Sequence, residues 1–144
     1  MNNKYFDKIP KIEFKGAQSE DSLSFKFYDA SKIVLGKSME ENLRIASCYW
    51  HSFSWPGGDP FGGPTFQRPW TQKGDAIEMA KLKLENAFDF FEKLGQPYFC
   101  FHDADIAPEG SNFAETEAIQ KTIVDAIQKK IEDQCWNPPS GALD

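Results

Sequence analysis

The segment "FHDAD", Phe101 to Asp105, places a histidine and two carboxylates at the end of an apolar run, "PYFCF". Histidine gives and takes protons near neutral pH. A carboxylate that holds one ring nitrogen fixes the tautomer and raises the basicity of the other. Asp105, three residues beyond His102 in a tight turn, is placed to do this. Asp103 points elsewhere if the strand pleat continues, and reads as a capping or supporting carboxylate. The pattern alone leaves three chemistries open: a metal site, a phosphohydrolase-like site, or loop residues bonded to backbone. His51 reads as a packed or supporting histidine rather than a catalytic one.

The elements around these residues give them a common place. "RIASCYW", Arg44 to Trp50, reads as a short buried strand, preceded by "SMEENLR", where Ser38 and Glu41 have capping-box spacing. "DAIEMAKLKLENAFDFFEKLG" predicts a helix capped by Asp75 and ended by Gly95. Ile77, Ala80, Leu84, Ala87, Phe91 and Leu94 form its apolar stripe; Glu78, Lys81, Lys83, Glu85 and Glu92 fall mostly off it. "PYFCF" is then a second strand, buried on both faces, and the βαβ order predicts a parallel pair. A second helix is expected from about Ser111 or Asn112 to Asp133, with Glu115 completing a capping box on Asn112 and Ile119, Ile123, Ile127 and Ile131 facing inward. In parallel α/β sheets ligand sites collect at the strands' carboxyl ends. There Trp50 and His51 from one strand would meet His102 and Asp105 from the other.

Between the first strand and helix, His51 to Trp70 is dense in Gly and Pro and predicts no regular element. It also carries Phe53, Trp55, Phe61, Phe66 and Trp70, which either cover an interface or fold back onto the core. Residues 1–38 read as an irregular arm with a short strand. In residues 134–144, Pro138-Pro139 excludes a central strand.

Composition narrows the partners. Sixteen Lys and Arg against 22 Asp and Glu leave a net charge of −6, against both a nucleic-acid partner and an anionic membrane surface. No apolar run approaches the ~20 residues that span a bilayer, and the N-terminus lacks a secretory apolar core; a cytoplasmic protein is expected. Cys48, Cys100 and Cys135 suggest neither a disulfide framework nor a CxxC zinc site. Cys48 and Cys100, inside apolar runs, are expected to pack as small buried hydrophobes.

Four motifs taken together carry a resemblance: "SFKFYDASKIVLGKSMEENLR", "YWHSFSWPGGDPFG", "QRPW" and "AFDFFEKLGQPYFCFHDADIAPEG". In order and register, over about residues 4–133, they resemble the N-terminal part of bacterial xylose isomerases of the subtype with the longer arm. The resemblance implies an α/β fold, part of a TIM (β/α)8 barrel: the arm at 1–38, the first two βα units at 39–133, and a divergent tail at 134–144. It implies conversion of D-xylose to D-xylulose, commonly also D-glucose to D-fructose, in a homotetramer. Two divalent cations per subunit are implied, Mg²⁺ with Mn²⁺ or Co²⁺ as substitutes. His102 would be the acid/base that opens the sugar ring and Asp105 the residue that orients it. Trp50 would line the sugar pocket, and Phe61 would reach into the neighbouring subunit's site. After ring opening, a metal-assisted hydride shift between C2 and C1 would complete the isomerisation.

A TIM barrel takes about 250 residues, whereas this chain has 144. The metal ligands implied by the resemblance come from later strands and have no counterpart here. The similarity ends near Cys135. A truncated N-terminal fragment is therefore expected, inactive alone and prone to instability or association through open strand edges. The alternative is a non-catalytic module or remnant that docks on full-length isomerase subunits. A different metal-dependent TIM-barrel enzyme is disfavoured by "WPGGDPFG" together with "QRPW".

Overall fold

The computed structural model describes residues 5–133. In chain order the elements are β1 (Glu13–Phe14), β2 (Ser24–Phe25), β3 (Ile33–Val34), β4 (Lys37–Ser38), α1 (Met39–Asn42), β5 (Ala46–Cys48), α2 (Ala76–Leu94), β6 (Tyr98–Cys100), α3 (Asp103–Ile106) and α4 (Phe113–Asp133). The strands form three two-stranded sheets: β1 with β2 and β5 with β6 are parallel, and β3 with β4 is antiparallel. No closed barrel forms among the described residues. The readings that fall in residues 134–144, Cys135 and Pro138-Pro139 among them, lie outside the described residues.

Capping defines the helices. At α1, the Glu41 backbone N–H donates to Ser38 Oγ and the Ser38 N–H donates to Glu41 Oε2, the reciprocal box expected from their spacing. At α2, Asp75 Oδ1 accepts from the Glu78 N–H at 2.9 Å. Gly95 ends the helix in the left-handed region at φ +62°, where its amide meets the Glu92 carbonyl. At α4, Asn112 Oδ1 accepts from the Glu115 N–H, but the Glu115 carboxylate returns to Ser111, one residue before the position expected.

β5, α2 and β6 make the βαβ unit. The register pairs Ala46 with Tyr98, Ser47 with Phe99 and Cys48 with Cys100. Ser47 and Phe99 face the helices: Phe99 stacks on Phe91 with ring centroids 5.2 Å apart and meets Phe88 edge-on at 5.4 Å. Phe53 packs at 5.8 Å from Phe91, and Ile123 and Ile127 of α4 close the same core. Ala80, Leu84, Ala87 and Phe91 of the expected stripe are buried, as is Phe88, which the stripe omitted. Asn86 is buried too. It offers Nδ2 to the Leu82 carbonyl and accepts the Tyr5 amide on Oδ1, pinning the start of the arm to α2.

Five expectations need correction. The first strand is shorter than Arg44 to Trp50, because Tyr49 adopts helical dihedrals (φ −61°, ψ −41°) and the chain enters a π-helical turn over Trp50–Ser54. The loop from His51 to Trp70 therefore begins in a helical turn, and it ends in a 3₁₀ turn at Pro69–Thr71. Among the described residues β6 is covered on one face only. Since side chains alternate along a strand, Cys48 and Cys100 stand on the face away from the helices. Cys48 is half-buried and Cys100 exposed, so neither is a core hydrophobe. Lys83, placed off the apolar stripe, instead turns inward and is half-buried.

Replacing Phe91, fully buried among the rings of Phe53, Phe88, Phe90 and Phe99, by alanine should cost about 3–5 kcal/mol of stability in urea denaturation. Among the described residues the outer edges of β5 and β6 carry no further strand. Sedimentation velocity of the isolated chain should therefore show concentration-dependent association.

Candidate active site

Both strands of the parallel pair deliver their chemistry just past their carboxyl ends. β6 ends at Cys100, and His102 follows immediately before α3. The turn of α3 brings Asp105 back: its amide donates to the His102 carbonyl, and its Oδ2 accepts both the His102 backbone N–H, at 2.9 Å, and the ring Nδ1, at 3.0 Å. One carboxylate oxygen thus fixes the backbone and the imidazole together. An ionised carboxylate only accepts, so the neutral ring that pairs with it carries its proton on Nδ1 and its lone pair on Nε2. The Asp105 side chain is 6% exposed and that of His102 is 77% exposed. The orienting group is buried and the reactive ring is open. Asp103 Oδ1 accepts the Ala104 amide, a capping role consistent with its expected secondary place.

Two further groups surround Asp105 that sequence reasoning did not assign to it. Tyr49 is buried, and burial, reinforced by the Asp105 charge, pushes its phenol far above the usual range, so it stays neutral. Lys83 extends from α2 with Nζ 5.7 Å over the Tyr49 ring and 3.3 Å from Ser54 Oγ. Burial lowers its pKa and the Asp105 charge opposes that shift. A cavity of about 330 Å³ behind α3, walled by Met79, Lys83, Ala104 and Ile106, places Lys83 beside that helix. Nothing in its helical spacing separates Lys83 from the solvated charges Lys81 and Glu85. Only the docking of α2 on Tyr49 does so.

The other expected residues separate into two settings. Trp50 lies on the π turn after β5, partly exposed and edge-on to His51 with centroids 4.3 Å apart. His51 sets Nδ1 3.1 Å from Cys48 Sγ, a supporting contact rather than a place beside His102. The aromatic loop divides. Phe53 and Trp70 are buried in the chain's own core, where Trp70 Nε1 donates to the Phe53 carbonyl at 2.8 Å. Trp55 and Phe66 pack edge-to-face, with the Arg68 guanidinium 4.8 Å over Phe66. Gly57, at φ +80°, is required there: a Cβ would fall 2.4 Å from Thr65 Oγ1. Phe61 stands at the tip of a turn closed by Asp59 and Gly62, 97% exposed, with its backbone N–H donating to Asp59 Oδ1.

No three His, Cys, Asp or Glu side chains converge to hold a metal ion among the described residues. No helix among them is long and apolar enough to cross a membrane.

The arrangement defines an α/β chain in which one strand end carries a carboxylate-oriented histidine and the end of the adjacent strand an exposed indole. The relatives are xylose isomerases, as the motifs indicated. The chain is 52% identical over 129 residues to that of Photobacterium profundum, 54% over 129 to that of Paraburkholderia xenovorans, and 53% over 130 to that of Brucella ovis. Each alignment covers 90% of this chain and 29% of the relative, so the chain spans less than a third of the length of the curated relatives it matches. No family model matches the chain.

Substituting Asp105 by leucine removes the acceptor without leaving a void. ¹⁵N spectra of the neutral His102 ring should then move from the Nδ1-protonated form toward the Nε2-protonated form.

Proposed function

We propose that this chain is the N-terminal portion of a xylose isomerase, carrying the sugar ring-opening half of its active site on the first two βα units of a TIM barrel. The observation that carries the reading is the His102–Asp105 pair at the carboxyl end of β6, with Nδ1 committed to a buried carboxylate. His102 Nε2 takes the proton of the anomeric hydroxyl as the bond from C1 to the ring oxygen breaks. The imidazolium, stabilised by Asp105, returns the proton to the ring oxygen. Trp50 offers an apolar wall for the sugar's carbon face, and Phe61, exposed on a rigid turn, is shaped to enter the site of a neighbouring copy in an oligomer. The isomerase relatives support a sugar substrate and a divalent cation for the hydride shift. The described residues do not fit that cation, and we assign its ligands to the portion of the relatives that this chain does not span. A cytoplasmic setting accords with this reading.

A chimera tests it. Residues 4–133 of this chain would replace the matching segment of the Paraburkholderia xenovorans enzyme, with D-xylulose formation measured in the presence of Mg²⁺. The chimera should be active, and His102→Gln in it should lower kcat/KM by about 10²-fold or more. An inactive chimera that assembles normally would contradict the reading. The 144-residue chain alone should form no D-xylulose.

A further inference from the structure

We propose that Cys48 and Cys100 form a peroxide-responsive dithiol, with Cys48 the attacking thiolate and Cys100 the resolving thiol, closing to a disulfide that ties β5 to β6. This goes beyond the isomerase reading and does not rest on it. The two residues are register partners in the parallel pair, so both side chains stand on the same face. Neighbouring strands run about 4.8 Å apart, within the roughly 4.4–6.8 Å Cα separation that a disulfide spans. Among the described residues of this 144-residue chain the helices do not cover that face, and Cys48 is half-buried while Cys100 is exposed, so a small oxidant can reach both in the chain as it stands.

The surroundings separate the two roles. His51, on the π turn, places Nδ1 3.1 Å from Cys48 Sγ. Its backbone N–H and its ring both stabilise the thiolate, holding the Cys48 pKa below the ordinary thiol value. Cys100, although exposed as a residue, is pushed the other way by partial desolvation of its sulfur, then by the charge of and hydrogen bond to Cys48, with Asp105 adding a smaller push. Its Sγ also lies 3.9 Å from the Ser47 carbonyl. Cys48 is therefore the thiol that gives up its proton first, and Cys100 the one that holds its proton longer.

The chemistry balances with hydrogen peroxide as oxidant. The Cys48 thiolate attacks one peroxide oxygen, the O–O bond breaks, and hydroxide leaves to be protonated to water. This produces the Cys48 sulfenic acid. Cys100, deprotonating as it attacks, displaces the hydroxyl from Cys48 sulfur, forming the S–S bond and a second water. The two thiols lose two electrons and the peroxide gains them. The bond would fix the separation of the two strand ends just before Trp50 and His102.

The test uses the full chain with Cys135→Ser, exposed to hydrogen peroxide without reductant, then alkylated and digested unreduced for mass spectrometry. The expected product is an intramolecular link between the peptides of Cys48 and Cys100, reversed by dithiothreitol. Cys100→Ser should accumulate a sulfenic acid at Cys48, captured by a cyclic 1,3-dione, and His51→Ala should slow oxidation several-fold at neutral pH. On the unaltered chain, iodoacetamide should label Cys48 at lower pH than Cys100, which checks the assignment without any substitution. Both thiols remaining free after peroxide, a sulfenic acid appearing first at Cys100, or links forming only between chains would each overturn the proposal.

Discussion

Phe91 of α2 lies flat on Phe99 of β6, with Phe88 and Phe53 closing the ring cluster around it. This packing of one helix on one strand sets the rest of the molecule. It seats α2 over the parallel pair, and the α2 seat places Lys83 over Tyr49 and beside α3. It also decides which face of each strand is covered. Aromatic rings suit this role because each brings a large apolar area and a preferred geometry, worth about 0.5–1.5 kcal/mol per pair beyond burial.

The His102–Asp105 pair depends on that frame in a specific way. Asp105 is buried because α3 turns back against the core through Ile106 and Ala107. A buried carboxylate must be satisfied, and its Oδ2 is satisfied by the His102 amide and ring. The orientation of an exposed histidine is thus a consequence of burying its partner. The same logic holds in the aromatic loop: Trp70 buries its indole and satisfies Nε1 on the Phe53 carbonyl, which anchors the loop and leaves Phe61 free at its tip.

The two thiols show how one covering helix layer has two effects. Residues of alternate parity on β5 and β6 meet opposite environments. Ser47 is buried and Phe99 partly buried against the helices, while Cys48 and Cys100 stand on the opposite face, Cys48 beside His51. Two histidines, His51 and His102, therefore follow adjacent strand ends, each held by a neighbour three residues away in sequence.

Much of this was legible in the sequence, where the deciding interactions are local. Asp75, Gly95, Ser38 with Glu41 and Asn112 mark helix ends because capping is settled within a few residues. The His102–Asp105 spacing is legible for the same reason, since one tight turn closes it. Helical period identified Ala80, Leu84, Ala87, Phe91, Ile123 and Ile127 as inward-facing. Tertiary structure alone decided that β5 stops at Cys48, that Lys83 turns inward, that Phe53 and Trp70 belong to the core while Phe61 does not, and that Cys48 faces Cys100. Each of these depends on which surface another element covers and on the register between strands about fifty residues apart in sequence. Composition and spacing carry no record of either.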